Sequence, residues 1–143
     1  MRRSITAVLF LLITIPVGLA VRLLPLGLPW FLYKYLGSIL WAIALYWFLA
    51  ILLPRLRPPT LATLAILIAT LVELSRLVSI ASIDAFRLTF AGRILLGRFF
   101  SIKNIVAYIF AIVLAASIDS CLTACYRPHP EKHGRSNVDN AAL

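Results

Sequence analysis

Four long apolar runs divide the chain. Ser4 to Val21 carries no charge over 18 residues, about 27 Å as a helix against a hydrocarbon core of about 30 Å. Tyr35 to Pro54 is charge-free for 20 residues and holds Trp41, Tyr46 and Trp47. Pro58 to Val72 offers 15 apolar or small residues before Glu73, and Asn104 to Ile118 another 15 before Asp119. These last two reach bilayer length when their terminal charges lie in the head-group layer. The pattern predicts membrane-spanning helices over about 4–23, 35–54, 58–77 and 103–125. Pro54-Arg55-Leu56-Arg57-Pro58-Pro59 leaves only a tight turn, so the second and third spans are antiparallel neighbours.

The 28 residues from Arg76 to Lys103 break this rhythm. They stay largely apolar yet hold Arg76, Asp84, Arg87, Arg93, Arg98 and Lys103. The stretch is too polar to span and too apolar for a solvated loop. At 100° per residue, Asp84, Arg87 and Arg98 share one helical face while Arg93 points away. The expected fold is therefore all-α: a polytopic membrane protein of four transmembrane helices, with an interfacial or re-entrant helix over about 83–100 between the third and fourth. Residues 1–126 form one transmembrane domain on this reading. The tail 127–143 turns polar, with Pro128, Pro130 and Gly134, and is expected to be disordered.

Composition narrows the class further. Of 143 residues 62% are apolar and only 13% charged, against about 45–50% and about 25% in soluble domains. The mean hydropathy is +0.99. A soluble enzyme, a disordered chain and a disulfide-stapled secreted domain are all excluded. The net charge of +9 does not imply nucleic acid, because the cations fall singly or in near-neighbour pairs at the ends of apolar runs. Membrane lipids, especially anionic head groups, are the partners this placement suggests. Arg2, Arg3 and Gly18-Leu19-Ala20 weakly resemble a cleaved signal, but the apolar run is long for one and Arg22 follows at once. The first run is therefore read as a retained span. The positive-inside count is a tie. Arg2, Arg3, Arg55, Arg57, Arg127, Lys132 and Arg135 stand on one side, and Arg22, Lys34, Arg76, Arg87, Arg93, Arg98 and Lys103 on the other. Because the first helix usually dominates, both termini are assigned to the cytoplasm.

Candidate chemistry gathers near the end of the third span. Glu73 and Arg76 stand at i, i+3, and Asp84 and Arg87 repeat the spacing, so each pair shares a face. Ionisable groups at membrane depth pair with one another or mark a functional path. Glu73, Arg76, Asp84, Arg87 and Arg98 make the candidate polar cluster. On one reading its arginines hold a lipid or polyprenyl phosphate with a carboxylate as base. On the plainer one the pairs neutralise each other and pin short helices at the interface. Asp119 is read as a cap or anchor for the last helix. Ala107, Ala111 and Ala115 recur every four residues there and form a packing face, against another helix of this chain or a second membrane protein or copy.

Cys121, Cys125, His129 and His133 also come at intervals of four. Pro128 and Pro130 break any helix that would align them, so neither a metal site nor another cofactor is assigned. G-x-S-x-G, H-E-x-x-H and phosphate-loop patterns are missing, and no histidine lies within the membrane part. This weighs against an enzyme.

The order of residues carries a family resemblance. Gly18-Leu19-Ala20-Val21-Arg22 leads to Leu28-Pro29-Trp30-Phe31 and Tyr35-Leu36-Gly37-Ser38-Ile39-Leu40-Trp41-Ala42. Later come Val72-Glu73-Leu74-Ser75-Arg76-Leu77, Asp84-Ala85-Phe86-Arg87-Leu88-Thr89, Gly92, Leu96-Gly97-Arg98-Phe99-Phe100-Ser101 and Ala107-Tyr108. Over about residues 5–120 this resembles domain of unknown function 2809, a group of small bacterial membrane proteins. The resemblance implies a compact, mostly helical protein of the bacterial inner membrane with no established activity. The chain departs from the family's usual acid at Ser38, glutamine at Arg76, acid near Asn104 and glycine near Ala111. A vaguer likeness is to VanZ-like proteins. The reading that results is a non-enzymatic inner-membrane protein. Two alternatives stay open beside it: a protein binding or processing lipid phosphates or polyprenyl carriers in envelope metabolism, and a small subunit of a larger membrane complex.

Overall fold

The structure, a computed structural model, describes residues 2–24, 27, 29–78, 81–95 and 100–125. Six helices follow in order: α1 (Arg2–Leu23), α2 (Trp30–Leu52), α3 (Pro58–Ser75), α4 (Ala81–Leu88), α5 (Phe90–Leu95) and α6 (Ile102–Cys125). Among the described residues there is no strand. Helices α1, α2, α3 and α6 are each long and apolar enough to cross a membrane. The all-α, four-span architecture read from the apolar runs is the one found. The expected tail, 127–143, lies outside the described residues.

Local sequence accounts for most helix ends. Pro54 follows α2 and cannot continue it, while Leu53 N–H still bonds Leu49 O at 2.8 Å. Pro58 and Pro59 then fill the first turn of α3, where a missing N–H costs nothing. At its far end α3 tightens: Arg76 N–H bonds Glu73 O, Leu77 bonds Leu74 O and Val78 bonds Ser75 O. These i→i+3 bonds end the regular helix at Ser75, two residues before the expected boundary. Gly27, between α1 and α2, has φ +64, a conformation that favours glycine.

The segment expected as one helix over 83–100 is two short helices in its described part. Thr89 divides them. Its N–H and hydroxyl both donate to Phe86 O, at 3.0 and 2.6 Å, and its Oγ1 accepts from Gly92 N–H at 3.1 Å. Thr89 thus closes α4 and serves as the N-cap of α5. Phe86, Leu88 and Phe90 are exposed around this break. Among the described residues no re-entrant path is evident; residues 79–80 and 96–99 lie outside them.

Helix α1 packs on α2, α2 on α6 and α3, and α3 on α6. The buried faces are built from small residues and aromatics. On α3 they are Leu61, Ala62, Ala65 and Ala69, and on α6 Ala111, Ile112, Ala115 and Ala116. Small side chains let the backbones approach closely, which replaces the hydrophobic drive that lipid does not supply. Trp47 fills the centre, stacked on Phe10 at 4.5 Å between ring centroids and edge-on to Tyr46 at 5.4 Å. Large apolar side chains such as Leu9, Leu12, Leu67, Val106 and Phe110 face outward, as a lipid-facing surface requires.

Candidate functional site

Each end of the bundle holds one buried carboxylate, and each is clasped by an arginine and a tyrosine. At the end where α3 stops and α6 starts, Glu73 is fully buried. Its Oε2 accepts from Arg76 Nη1 at 2.6 Å and from the Tyr108 hydroxyl at 2.8 Å. Its Oε1 accepts from the Ser101 N–H at 2.8 Å and from Asn104 Nδ2 at 3.1 Å. A carboxylate has about four lone-pair sites, and donors occupy all four here. The loop containing α4 and α5 is thereby closed at its base, since Glu73 precedes it and Ser101 follows it. Asn104 Oδ1 is buried with no hydrogen-bond partner.

The opposite end holds Asp119, 2% exposed. Arg3 grips it as a fork, Nε to Oδ1 at 3.1 Å and Nη2 to Oδ2 at 2.7 Å. The Tyr46 hydroxyl donates to Oδ2 at 2.8 Å. Arg3 Nη1 reaches across to Pro54 O at 3.1 Å and Leu56 O at 2.6 Å. Those carbonyls lie just past the end of α2, where no helical N–H is available to them. One side chain thus ties α1, the α2–α3 turn and α6 together. It also brings the start of α1 and the later part of α6 to the same end of the bundle.

Of the residues singled out from the sequence, Glu73 and Arg76 form an ion pair. Asp84 is half-buried in the first turn of α4, where a negative charge suits the helix dipole. Arg87 belongs to α4, but its side chain is outside the described residues, as is the whole of Arg98. Ala111 and Ala115 are buried at 0% and 2% exposure, whereas Ala107 is half-buried. Cys121 and Cys125 are free thiols on the exposed side of α6, and His129 and His133 are outside the described residues.

Sequence reasoning missed Arg3, Tyr46, Asn104 and Tyr108, and it gave Asp119 too small a part. A signal was available. Asn104, Tyr108, Ala111, Ala115 and Asp119 recur at intervals of three or four, so the polar residues lie on the same stripe as the buried alanines. Arg3 had no such signal, because its partner lies 116 positions away.

These arrangements hold helices together, and both carboxylates are largely or wholly occupied by donors. Among the described residues, no three His, Cys, Asp or Glu side chains gather as a metal site would need.

The model of a family described as "Protein of unknown function (DUF2809)" matches residues 27–112, more than half of the chain. That stretch takes in the whole Glu73 cluster, including Arg76, Asn104 and Tyr108, but neither Arg3 nor Asp119. No curated protein and no solved structure matches the chain. The likeness to VanZ-like proteins gains nothing from these comparisons. The chain belongs to the DUF2809 family, whose function is unknown.

Proposed function

We propose that this protein is a non-enzymatic integral membrane protein of the bacterial inner membrane. In this reading its Glu73 cluster lies at the head-group layer and fixes the base of the arginine-rich segment between α3 and α6. One observation carries it: Glu73 is 0% exposed and accepts from four donors. A carboxylate so enclosed has no open lone pair for a substrate proton and no path to one. Its partners suit the opposite task, which is to keep a charge tolerable at membrane depth. Both termini are placed in the cytoplasm. The Arg3–Asp119 clasp supports a shared side, since it joins the first turn of α1 to the last turns of α6.

The test is Glu73→Gln, which keeps the shape and removes the charge. Purified in detergent, the variant should unfold at a lower temperature, with a loss of about 1.5–3 kcal/mol for hydrogen bonds to a charged group. Its binding of anionic lipids should match the wild-type protein. Unchanged stability with altered lipid binding would instead favour the reading in which the cluster holds or processes a lipid phosphate.

A further inference from the structure

The turn between α2 and α3 is short and held from two directions. Helix α2 ends at Leu52 and α3 begins at Pro58, and both are long and apolar enough to cross a membrane. The residues between them therefore lie where hydrocarbon gives way to head groups. Leu52 and Leu53, 57% and 37% exposed, are the last lipid-facing positions before the turn. Pro54 on one side and Pro58 with Pro59 on the other restrict the backbone. Arg3 Nη1 holds the carbonyls of Pro54 and Leu56, and the Leu56 side chain packs against the core.

Arg55 and Arg57, on either side of Leu56, are both exposed. No carboxylate of the described residues pairs with either one. Those acids are Glu73 at the opposite end of the bundle, Asp84 in α4, and Asp119, which Arg3 and Tyr46 already hold. The turn thus presents two guanidinium groups without a counter-charge at the level of the lipid head groups. Guanidinium forks match the paired oxygens of a phosphate. Pro58 and Pro59 carry no N–H, so the start of α3 adds little for an anion and recognition falls to the two side chains. The polar tail is a poor partner for them, because it brings Arg127, Lys132 and Arg135 against Glu131 and Asp139.

We propose that the α2–α3 turn binds the phosphate of an anionic phospholipid between Arg55 and Arg57. Arg3 is a positioning residue for this site. By holding the carbonyls of Pro54 and Leu56 it fixes the backbone that carries both arginines, so little of the turn remains to be ordered when a head group binds. The site rests on the membrane-spanning helices and not on the role of the Glu73 cluster, which lies at the other end. Either can fail without the other.

The experiment is native mass spectrometry of the full chain in detergent, titrated with phosphatidylglycerol and phosphatidylcholine of identical acyl chains. The double variant Arg55→Gln/Arg57→Gln should weaken phosphatidylglycerol binding by about thirtyfold, and each single variant by about fivefold. Phosphatidylcholine binding should not change. Because both arginines are exposed and unpaired among the described residues, the double variant should unfold at the wild-type temperature in lipid-free detergent. Undiminished phosphatidylglycerol binding by the double variant would overturn the proposal. So would a lowered unfolding temperature, since the arginines would then be holding the protein together. Inorganic phosphate should not displace the lipid, and displacement would assign the turn to a soluble phosphate instead. The full-length variant Glu131→Gln/Asp139→Asn should bind phosphatidylglycerol as the wild-type protein does. Tighter binding there would show that the tail covers the two arginines, and would overturn the proposal.

Discussion

Removing Arg3 should cost far more than an arginine near a chain terminus usually does. Arg3→Leu takes away two hydrogen bonds to Asp119 and two to the carbonyls of Pro54 and Leu56. What remains is a carboxylate 2% exposed, with the Tyr46 hydroxyl as its one short side-chain donor. A buried charge stripped of its partner typically costs about 3–5 kcal/mol, and the 22% exposure of the Arg3 side chain points to the lower end. Asp119→Leu should cost less, about 1–3 kcal/mol, because Arg3 keeps its two carbonyls and has some access to water or head groups. Tyr46→Phe removes one neutral donor and should cost about 0.6 kcal/mol, and no more than about 1.7. The double variant Arg3→Leu/Asp119→Leu leaves no charge behind. Its loss should fall short of the sum of the single losses by more than about 2 kcal/mol. The assay is equilibrium unfolding in mixed micelles, followed by tryptophan emission and far-ultraviolet circular dichroism. Trp47, buried against Phe10 and Tyr46, makes the emission a reporter of this core. Single losses that add within about 0.5 kcal/mol would refute the reasoning. An Arg3→Leu loss below about 1 kcal/mol would do the same, since that is the scale of an exposed ion pair.

Two further outcomes follow from the packing and the topology. Ala111→Leu places a large side chain where exposure is 0% and should lower stability by about 1–3 kcal/mol through overpacking. Ala107→Leu, at a half-buried position, should be near neutral in the same unfolding assay, and equal losses at both sites would contradict the α6 packing face described here. With both termini in the cytoplasm, the exposed Cys121 and Cys125 should resist a membrane-impermeant thiol reagent in intact cells. A Ser82→Cys variant with the native cysteines removed should react, and the reverse labelling pattern would invert the assigned orientation.

The amino-acid order alone determined the class of the protein and the four helices. Runs of 15 to 20 uncharged residues have one stable fate in a bilayer, because lipid offers no partner for an open backbone. The proline pair at Pro58 and Pro59 and the break after Pro54 marked boundaries for the same local reason. Glu73 with Arg76 was legible because three residues along a helix is a short-range relation that spacing reports directly. The break at Thr89 inside the helix expected over 83–100 was not legible, because hydrophobic periodicity carries no mark for a side chain that takes over backbone hydrogen bonds.

Only the tertiary structure decided what the buried acids are for. Asp119 looks like a helix-end charge until α1 is packed beside α2, which puts Arg3 within 2.7 Å of it across 116 positions of sequence. Tyr46 and Tyr108 look like core aromatics until α2 and α6 turn their hydroxyls onto the two carboxylates. Pairing a charge across helices depends on their rotation and depth, and those come from the packing of small residues over the whole bundle.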